Sequence, residues 1–350
     1  MLLIYLLKRF DFIVKFCIIL TIVISLKILL NKGENYMKKL LIILSIILVF
    51  VSCSKSKSSD SKFKIGILQL VEHPALDDAN RGFVDGLKEE GFEDGKNIII
   101  DYQNAQGEQA NCITISQKFV NDRSDLILAI ATPAAQAIAN LTKDIPILIT
   151  AVTDPADSKL VADNKAPGGN VTGTSDLTPV SEQMDLLKKL IPNAKRIAFL
   201  YNSSEQNSKF QVDIARKKAE EIGLIARDAT ITNPNEIQQV VQNLIGKVDV
   251  IYVPTDNMVS AGMPTVASIT EPAKIPIICG EEGMLPRGGL ATYGINYYEL
   301  GKLTSKQAVK ILKGESKPAD MPIEYLQNLS LKINTNSAQK LGIVIPADLQ

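Results

Sequence analysis

The feature that most constrains the fold is an alternation of short apolar runs with amphipathic helical stretches that begins at Phe63. The apolar runs have the length of strands and are nearly continuous in Ile, Leu and Val, which is typical of strands buried on both faces of a parallel sheet. The intervening helical stretches supply the crossover connections that parallel strands need. The predicted strands are 63–70, 97–101, 126–131, 146–152, 196–201, 224–229, 250–253, 275–279 and 290–294. The predicted helices include 75–90, 109–121, 180–190, 208–222 and 236–245.

An internal echo in the sequence indicates two related halves. A strand ending in Thr132 is followed by a helical stretch and an Ile-Pro-Ile strand at 145–147, and the same order recurs with Thr255 and 275–277. The alternative is a chance repeat, since Ile-Pro-Ile commonly opens a strand. We interpret the echo as a duplication and predict an α/β fold of two similar lobes, each an open parallel sheet with helices on both faces. Because ligands of such sheets bind at the carboxyl ends of the strands, two facing lobes would form a binding cleft.

The segment before the predicted fold has the parts of a bacterial lipoprotein signal peptide. Met37-Lys38-Lys39 precede an apolar run that closes with Val49-Phe50-Val51-Ser52 in front of Cys53. Phe50 departs from the pattern, because such peptides usually carry Leu there. We predict a signal peptide over 37–52, lipidation of Cys53 and a flexible Ser/Lys linker over 53–62. Two or more acyl chains hold a protein stably on a membrane, so the mature chain is expected on the outer face of the cell membrane.

Residues 1–36 contain a second apolar run, from Phe16 to Leu30, that Lys27 interrupts. One interpretation is a transmembrane helix, but the uninterrupted part is shorter than the roughly 20 apolar residues that a span needs. The other is a translated leader, since Lys32-Gly33-Glu34 can be encoded by a ribosome-binding sequence a short spacer ahead of Met37. We favour the leader and begin the protein at Met37.

Composition excludes several classes of function. Of 38 basic and 38 acidic residues, 31 basic and 36 acidic ones lie in residues 53–350, and this net negative charge argues against a nucleic-acid partner. A single histidine and the isolated Cys112 and Cys279, which we expect to be free buried thiols, cannot form a His- or Cys-rich metal site. Neither a nucleophile elbow, a Walker-type phosphate loop nor a dinucleotide fingerprint occurs. We expect a binding protein without a cofactor; the alternative left open is an enzyme that uses only carboxylates, for which no acidic pair stands out in the sequence.

Polar residues follow the ends of several predicted strands, where a cleft ligand would meet them. Thr132 suits a helix N-cap and Pro133 the first helical position, so free N–H groups there could bind a carboxylate; ordinary capping is the alternative. Asp154 and Asp256 could accept from a ligand ammonium, or could simply form turns.

Further candidates follow other strands of the prediction. His73, the only histidine, follows the first strand and could contact a ligand or pack. Asn202 and Glu205 could bind a ligand, or the intervening Ser204 could simply cap the next helix. We expect Glu281 or its neighbour Glu282 to face the cleft, and interpret 170–173 as a crossover between the lobes.

Motifs spread over the chain from about Phe63 to Leu349 carry a resemblance to a known family. The segments, in order, are ILQLVEHPALD at 67–77, NAQG at 104–107, TPAA at 132–135, VTDP at 152–155, PGGNVTG at 167–173, PTDN at 254–257 and YYELG at 297–301. They resemble the ABC-transporter substrate-binding lipoproteins of the tryptophan/tyrosine-type group. That family is similar to type I periplasmic binding proteins, in which two α/β lobes joined by three crossovers close on a ligand.

The resemblance implies lobe 1 over 63–172 and 294–350, and lobe 2 over 173–293. It also implies an amino-acid ligand, such as tryptophan, and a monomer that hands its ligand to ABC permease and ATPase subunits. The ligand-binding positions would be Glu72, His73, Thr132, Pro133, Asp154, Asn202, Glu205, Asp256 and Glu281.

Three classes of function remain at this point. The first is a lipid-anchored receptor in which helix N–H groups bind the carboxylate of a zwitterion, Asp154 or Asp256 binds its ammonium, and Tyr201 or Tyr293 lies near a planar side chain. The second is a ligand sensor that signals to a membrane partner without transport. The third, a surface hydrolase, is disfavoured by the missing nucleophile motifs.

Overall fold

The computed structural model describes residues 62–349. The predicted leader over 1–36, the signal peptide over 37–52, Cys53 and all but the last residue of the linker lie outside the described residues. Within the described range, no helix combines the length and apolar character that crossing a membrane requires.

Strands and helices alternate along the described chain. The strands are β1 Phe63–Gln69, β2 Ile98–Asn104, β3 Leu126–Ile130, β4 Ile147–Val152, β5 Val171–Ser175, β6 Arg196–Asn202, β7 Ile225–Ile231, β8 Val250–Val253, β9 Ile277–Cys279, β10 Ala291–Gly294, β11 Glu324–Tyr325 and β12 Ser330–Ile333. The helices are α1 Pro74–Glu89, α2 Gln109–Asn121, α3 Thr132–Leu141, α4 Val180–Leu190, α5 Gln206–Glu221, α6 Ile237–Gln242, α7 Asn257–Thr270, α8 Tyr297–Leu312 and α9 Thr335–Leu341.

The strands form two six-stranded sheets with the same order of strands. The first sheet runs β11-β5-β4-β3-β1-β2 and the second β12-β10-β9-β8-β6-β7. Every neighbouring pair is parallel except β10 with β12, which is antiparallel. The two Ile-Pro-Ile segments lead into β4 and β9, which occupy corresponding positions in the two sheets. The predicted fold class of two similar α/β lobes is therefore confirmed.

The central strands of each sheet are buried because they are apolar along their whole length, whereas the edge strands β2, β7, β11 and β12 carry polar residues and are partly exposed. All residues of β3, β4 and β8 are buried, as expected for central parallel strands that are covered on both faces. One continuous hydrophobic core belongs to the first lobe, and two clusters belong to the second lobe.

The chain crosses between the lobes three times, after β5, after β10 and after β11. Residues 294–350, all predicted to belong to lobe 1, are divided between the two lobes. Helix α8 and β11 complete the first lobe, whereas β12 and α9 belong to the second. The reason is that β12 pairs with β10, and that Ala338 and Leu349 are buried in the second lobe's core. Similarly, 170–173, predicted as a crossover, overlaps β5, and the crossover follows it at 176–179.

Helix α8 is held on the first lobe by an unusually close contact with α1. A Cβ atom on Gly301 would lie 2.0 Å from the carbonyl oxygen of Ala79, and one on Gly82 would lie 2.0 Å from that of Tyr298. The two helices therefore touch backbone to backbone, which any larger residue would prevent. This contact fixes Tyr297, the first residue of α8, beside the crossovers that join the lobes.

Candidate functional site

The carboxyl ends of the strands in the two sheets face each other, and the lobes contact directly there. Thr153, after β4, and Thr255, after β8, have their hydroxyl oxygens 3.1 Å apart. Gln211 of α5 donates through Nε2 to Thr153 Oγ1 at 3.1 Å. His73 Nε2 lies 3.3 Å from Asn257 Oδ1. These contacts join the first lobe to the second, so the cleft is closed.

A small cavity lies deep in this cleft, next to the crossovers; we call it the inner cavity. Its free volume is about 10 Å³, room for about one water molecule. It is lined by residues of both lobes and the first crossover: His73, Leu76, Ala151, Asp176, Thr255, Asp256, Asn257, Ser260, Glu281 and Tyr297.

Asp176 places a carboxylate with an unused hydrogen-bonding oxygen at the inner cavity. The residue is 3% exposed, and its Oδ2 accepts a hydrogen bond from the Tyr297 hydroxyl at 2.7 Å. Its Oδ1 is buried and has no partner among the described residues. Burial raises the pKa of Asp176 to about 6, and hydrogen bonding by Tyr297, by the nearby Thr153 hydroxyl and by the backbone only partly opposes this. A buried carboxylate oxygen without a donor is costly, and a bound cation would supply the missing partner.

Glu281 brings a second carboxyl group to the same cavity. Its Oε1 accepts from Ser260 Oγ at 2.7 Å, and its Oε2 accepts from the backbone N–H of Gly283. Burial raises the pKa of Glu281 to about 7, and the negative charge of Asp176 adds to the shift. The inner cavity thus favours a positively charged group, which would lower both pKa values again.

The carboxylate of Asp256 stabilises the local structure of the second lobe. Asp256 is fully buried and caps α7, because its Oδ1 accepts from Val259 N at 2.8 Å. Its Oδ2 accepts from Asn202 N at 2.6 Å and from Ser208 Oγ at 2.7 Å. Burial raises the pKa of Asp256, while these donors oppose the shift. Both oxygens therefore already have protein partners.

Glu205 holds the same end of α7 from the neighbouring loop. Its Oε1 accepts from Met258 N at 3.2 Å, and its Oε2 accepts from Asn257 N at 3.2 Å and from Asn257 Nδ2 at 2.5 Å. The positive end of the helix dipole stabilises a carboxylate at this position. Burial, followed by the charge of Asp256, raises the pKa of Glu205. Asn257 thus links Glu205 to His73 across the cleft.

A larger cavity, the outer cavity, opens on the other side of Asn257, with a free volume of about 410 Å³. This volume lies within the range of small-molecule sites. Asn202 Oδ1 accepts from Ser204 N at 2.9 Å, while its Nδ2 donates to no described residue. The lining combines apolar and polar side chains of both lobes: Leu70, Val71, Gln106, Gly107, Glu108, Gln109, Pro133, Asn202, Ser204, Glu205, Thr232, Asn233, Pro234, Asn257, Met258, Ala261 and Gly262.

Two strand ends of the first lobe carry an unusual backbone. Ala131, after β3, has φ of 85°, and Ala151, near the end of β4, has φ of 54°, a region that non-glycine residues rarely adopt. Ala131 is the N-cap of α3, so the prediction that Thr132 caps this helix is wrong by one position. The helix has no side-chain cap, and its first-turn N–H groups lack intrahelical acceptors. Such strain is often found at functional sites.

The structure distributes the predicted site residues over three environments. The inner cavity contains His73, Asp256 and Glu281, and the outer cavity contains Pro133, Asn202 and Glu205. Thr132, Glu72 and Asp154 line neither of these cavities; Thr132 is buried in α3, and Glu72 is exposed.

Asp154 forms the turn that was the alternative interpretation. Its Oδ1 accepts from Ala156 N and Asp157 N, both at 3.0 Å, and from Asn164 Nδ2 at 3.1 Å. Tyr201 and Tyr293, expected near a planar ligand group, instead pack in the core of the second lobe.

Three residues that line the inner cavity were not among the predicted site residues: Asp176, Asn257 and Tyr297. Asn257 and Tyr297 lie in two of the family-like segments, 254–257 and 297–301, so that signal was available. Asp176 had no local signal, because its position depends on β5 being a strand and on the crossover that follows it.

Comparison with known proteins agrees with this geometry. The model of the family described as ABC transporter substrate binding protein matches residues 64–350. The chain is 45% identical over 292 residues to the tyrosine-binding protein of Clostridioides difficile strain R20291, covering 83% of this chain and 84% of that protein. These relatives are binding proteins and not enzymes.

Two solved structures of similar proteins differ in their ligand state, one holding a ligand and the other being ligand-free and open. An ABC domain from Streptococcus pneumoniae in complex with L-Trp is 45% identical, with a TM-score of 0.80 over 83% of this chain and 97% of that chain. The ligand-free, open structure of a substrate-binding protein with adhesive properties from Clostridium difficile is 49% identical, with a TM-score of 0.63 over 82% of this chain and 97% of that chain. The lower score against an open structure agrees with the direct contacts between the lobes here. On its sequence, its two-lobe fold and its interlobe site, the chain belongs to the ABC transporter substrate binding protein family.

Proposed function

We propose that the protein is a lipid-anchored receptor of an ABC importer that binds an aromatic L-amino acid between its lobes. The observation that carries the proposal is the buried Asp176 carboxylate, whose unpartnered Oδ1 lies at the inner cavity. A cationic group of the ligand would satisfy it, and the α-ammonium of an amino acid has the required charge and donors. The relatives named for tyrosine and solved with L-Trp support this choice of ligand.

The two cavities suggest how such a ligand is oriented. Its ammonium group would lie at Asp176 and Glu281, and its carboxylate would lie near the uncapped first turn of α3. Its side chain would extend past Asn257 into the outer cavity, where Leu70 and Met258 provide apolar walls. In this orientation the ammonium group lies beside carboxyl groups and the carboxylate lies beside helix N–H groups. The two ends of the ligand are matched separately because these protein groups belong to different parts of the cleft.

Binding would be coupled to closure of the lobes. The inner cavity is formed by both lobes, so a ligand that contacts both gains more interactions in the closed form than in the open form. The closed receptor would then dock on an ABC permease with its ATPase subunits and release the ligand for import. Attachment through Cys53 would keep a monomeric receptor at the outer face of the membrane, close to the permease.

The test is a thermal-shift and calorimetric screen of the purified protein against the twenty amino acids, after any co-purified ligand has been removed by unfolding and refolding. A ligand at 100 times its dissociation constant should add about 2.7 kcal/mol of stability. We expect tryptophan, tyrosine or phenylalanine to give the largest shifts, and Asp176→Asn to abolish them. Binding of aromatic amino acids by Asp176→Asn with unchanged affinity would contradict the assigned role of this carboxylate. Absence of binding by any amino acid would contradict the proposed function.

A further inference from the structure

A group of polar contacts joins the two lobes at the rim of the cleft, away from both cavities. Gln206, the first residue of α5 in the second lobe, donates through Nε2 to the carbonyl oxygen of Asp157 at 2.6 Å and to Asp157 Oδ2 at 3.1 Å. Gln136 of α3 in the first lobe donates through Nε2 to Gln206 Oε1 at 3.2 Å. None of these three residues lines the inner or the outer cavity.

The first-lobe side of these contacts is held in place by its own hydrogen bonds. Asp154 accepts from the backbone N–H of Asp157 at 3.0 Å, which fixes the turn that carries the acceptors for Gln206. Gln136 also donates to the carbonyl oxygen of Ser158 at 3.2 Å, so α3 and the turn form one surface. The acceptors are thus already arranged before the second lobe approaches.

We propose that Gln136, Asp157 and Gln206 form a rim latch that sets ligand affinity by stabilising the closed conformer without touching the ligand. The inference rests on the proposed function for its ligand, but its physical basis is the set of contacts between the lobes. Separation of the lobes would break every bond between Gln206 and the first lobe, whereas the bonds within each lobe would remain. A contact made only in the closed form shifts the equilibrium toward that form and lowers the dissociation rate of a trapped ligand.

The same geometry accounts for Asp154. Its carboxylate orders the latch turn, so it acts on binding through Asp157 and Gln206 rather than through the ligand. The three latch residues are likewise positioning residues, because they hold the lobes together and do not contact the ligand.

The decisive variant is Gln206→Glu, because it separates a latch from a merely structural role. Glu has the shape of Gln and is favoured at the first position of a helix by the helix dipole, so α5 should be unharmed. It cannot donate to Asp157, and it places two carboxylates side by side at the rim. Gln206→Ala removes the bonds without adding a charge. Gln238→Ala, an exposed glutamine of the second lobe without a described side-chain hydrogen bond, is the control.

The measurements are dissociation constants and dissociation rates for L-tryptophan and L-tyrosine, with the melting temperature of the ligand-free full chain. We expect Gln206→Ala to weaken binding about tenfold, mostly through faster dissociation, since lost hydrogen bonds of this kind reduce affinity by about that factor. Gln206→Glu should weaken binding further at low salt and approach Gln206→Ala at high salt, because salt screens the added repulsion. The melting temperatures should match those of the wild type and of Gln238→Ala.

Unchanged dissociation rates in both Gln206 variants would overturn the latch. Faster dissociation accompanied by a lower melting temperature of the ligand-free protein would also overturn it, because general destabilisation would then explain the weaker binding. Failure of the wild type to bind any aromatic amino acid would instead count against the proposed function. In that case the latch is decided by the distance between spin labels at Glu90 and Lys217, exposed positions on the two lobes, in ligand-free protein. A longer mean distance in Gln206→Glu than in the wild type supports the latch, and an identical distance overturns it.

Discussion

Replacing Asp176 by Asn should stabilise the ligand-free protein at alkaline pH while it weakens ligand binding. The wild-type carboxyl group is buried, and its pKa is raised from 3.8 to about 6 by that burial. A group whose pKa is higher in the folded than in the unfolded state destabilises the fold as it ionises. The stability that this carboxyl group contributes is therefore fully present below its pKa in the unfolded chain. That stability is lost as the pH rises through its pKa in the folded protein, over the window from about pH 4 to pH 7.

The magnitude follows from the size of the shift. A difference of about 2 pKa units corresponds to about 3 kcal/mol at 1.36 kcal/mol for each unit. Part of this change occurs below pH 4.5, because the group already ionises there in the unfolded chain. Between pH 4.5 and pH 8, the linkage relation therefore gives a change of about 2 kcal/mol in the free energy of unfolding. The free energy of unfolding of Asp176→Asn, minus that of the wild type, should thus be about 2 kcal/mol more positive at pH 8 than at pH 4.5. The amide can still accept from the Tyr297 hydroxyl, so the local contacts are preserved.

Urea unfolding at the two pH values, followed by circular dichroism, measures this difference. Comparison with the wild type cancels the contributions of the buried carboxyl groups of Glu205 and Asp256. Loss of the Asp176 charge also lowers the raised pKa of Glu281, which acts in the same direction as the loss of Asp176 itself. Asp213→Asn, an exposed change on α5, is the control and should give the same small difference at both pH values. The reasoning would be refuted if Asp176→Asn changed stability equally at pH 4.5 and pH 8.

Three further changes test other parts of the structure. Gly301→Ala should lower the free energy of unfolding by more than about 2 kcal/mol in urea titrations, since its methyl group would overlap the Ala79 carbonyl oxygen; an unchanged midpoint would contradict the helix contact. Asp154→Ala should increase the ligand dissociation rate no more than Gln206→Ala does, and in the double variant the effects should not add, because both act through one turn. Additive losses would instead indicate separate roles. Cys53→Ser should abolish incorporation of radiolabelled palmitate and leave the precursor unprocessed; normal maturation would disprove the predicted lipid anchor.

Local sequence patterns were sufficient to predict most strands and helices and the two-lobe fold class. The strands from β1 to β4 and from β6 to β10, with the helices between them, were predicted with boundaries shifted by a few residues. Most of them are apolar runs, which is the pattern of a buried strand; β2 and β7 are partly exposed edge strands. The echo of Ile-Pro-Ile predicted two similar lobes and is explained by the matching positions of β4 and β9. Strands β11 and β12 were missed, because they are short, partly exposed and become strands only through an existing sheet edge.

The site was less predictable than the fold. The rule that ligands bind at the carboxyl ends of parallel strands predicted a site in the loops that carry His73, Asn202 and Glu281, and these residues line the two cavities. It did not distinguish carboxylates that face a cavity from carboxylates that hold the backbone. Asp154 and Asp256 look alike in sequence, since each follows a strand and a threonine. Asp154 orders a turn away from both cavities, whereas Asp256 lines the inner cavity and also caps α7.

The sequence by itself thus determined the two parallel sheets, the duplicated order of elements and the polar loops that follow the strands, because all three depend on periodicity and on short-range turn chemistry. Only the tertiary structure decided which lobe the last strand joins, which carboxylate is left with an unpaired oxygen, and that Gln136, Asp157 and Gln206 meet at the rim. These outcomes depend on contacts between residues far apart in the chain. The free energy of burying a polar group is set by what lies around it after folding, which no local pattern encodes.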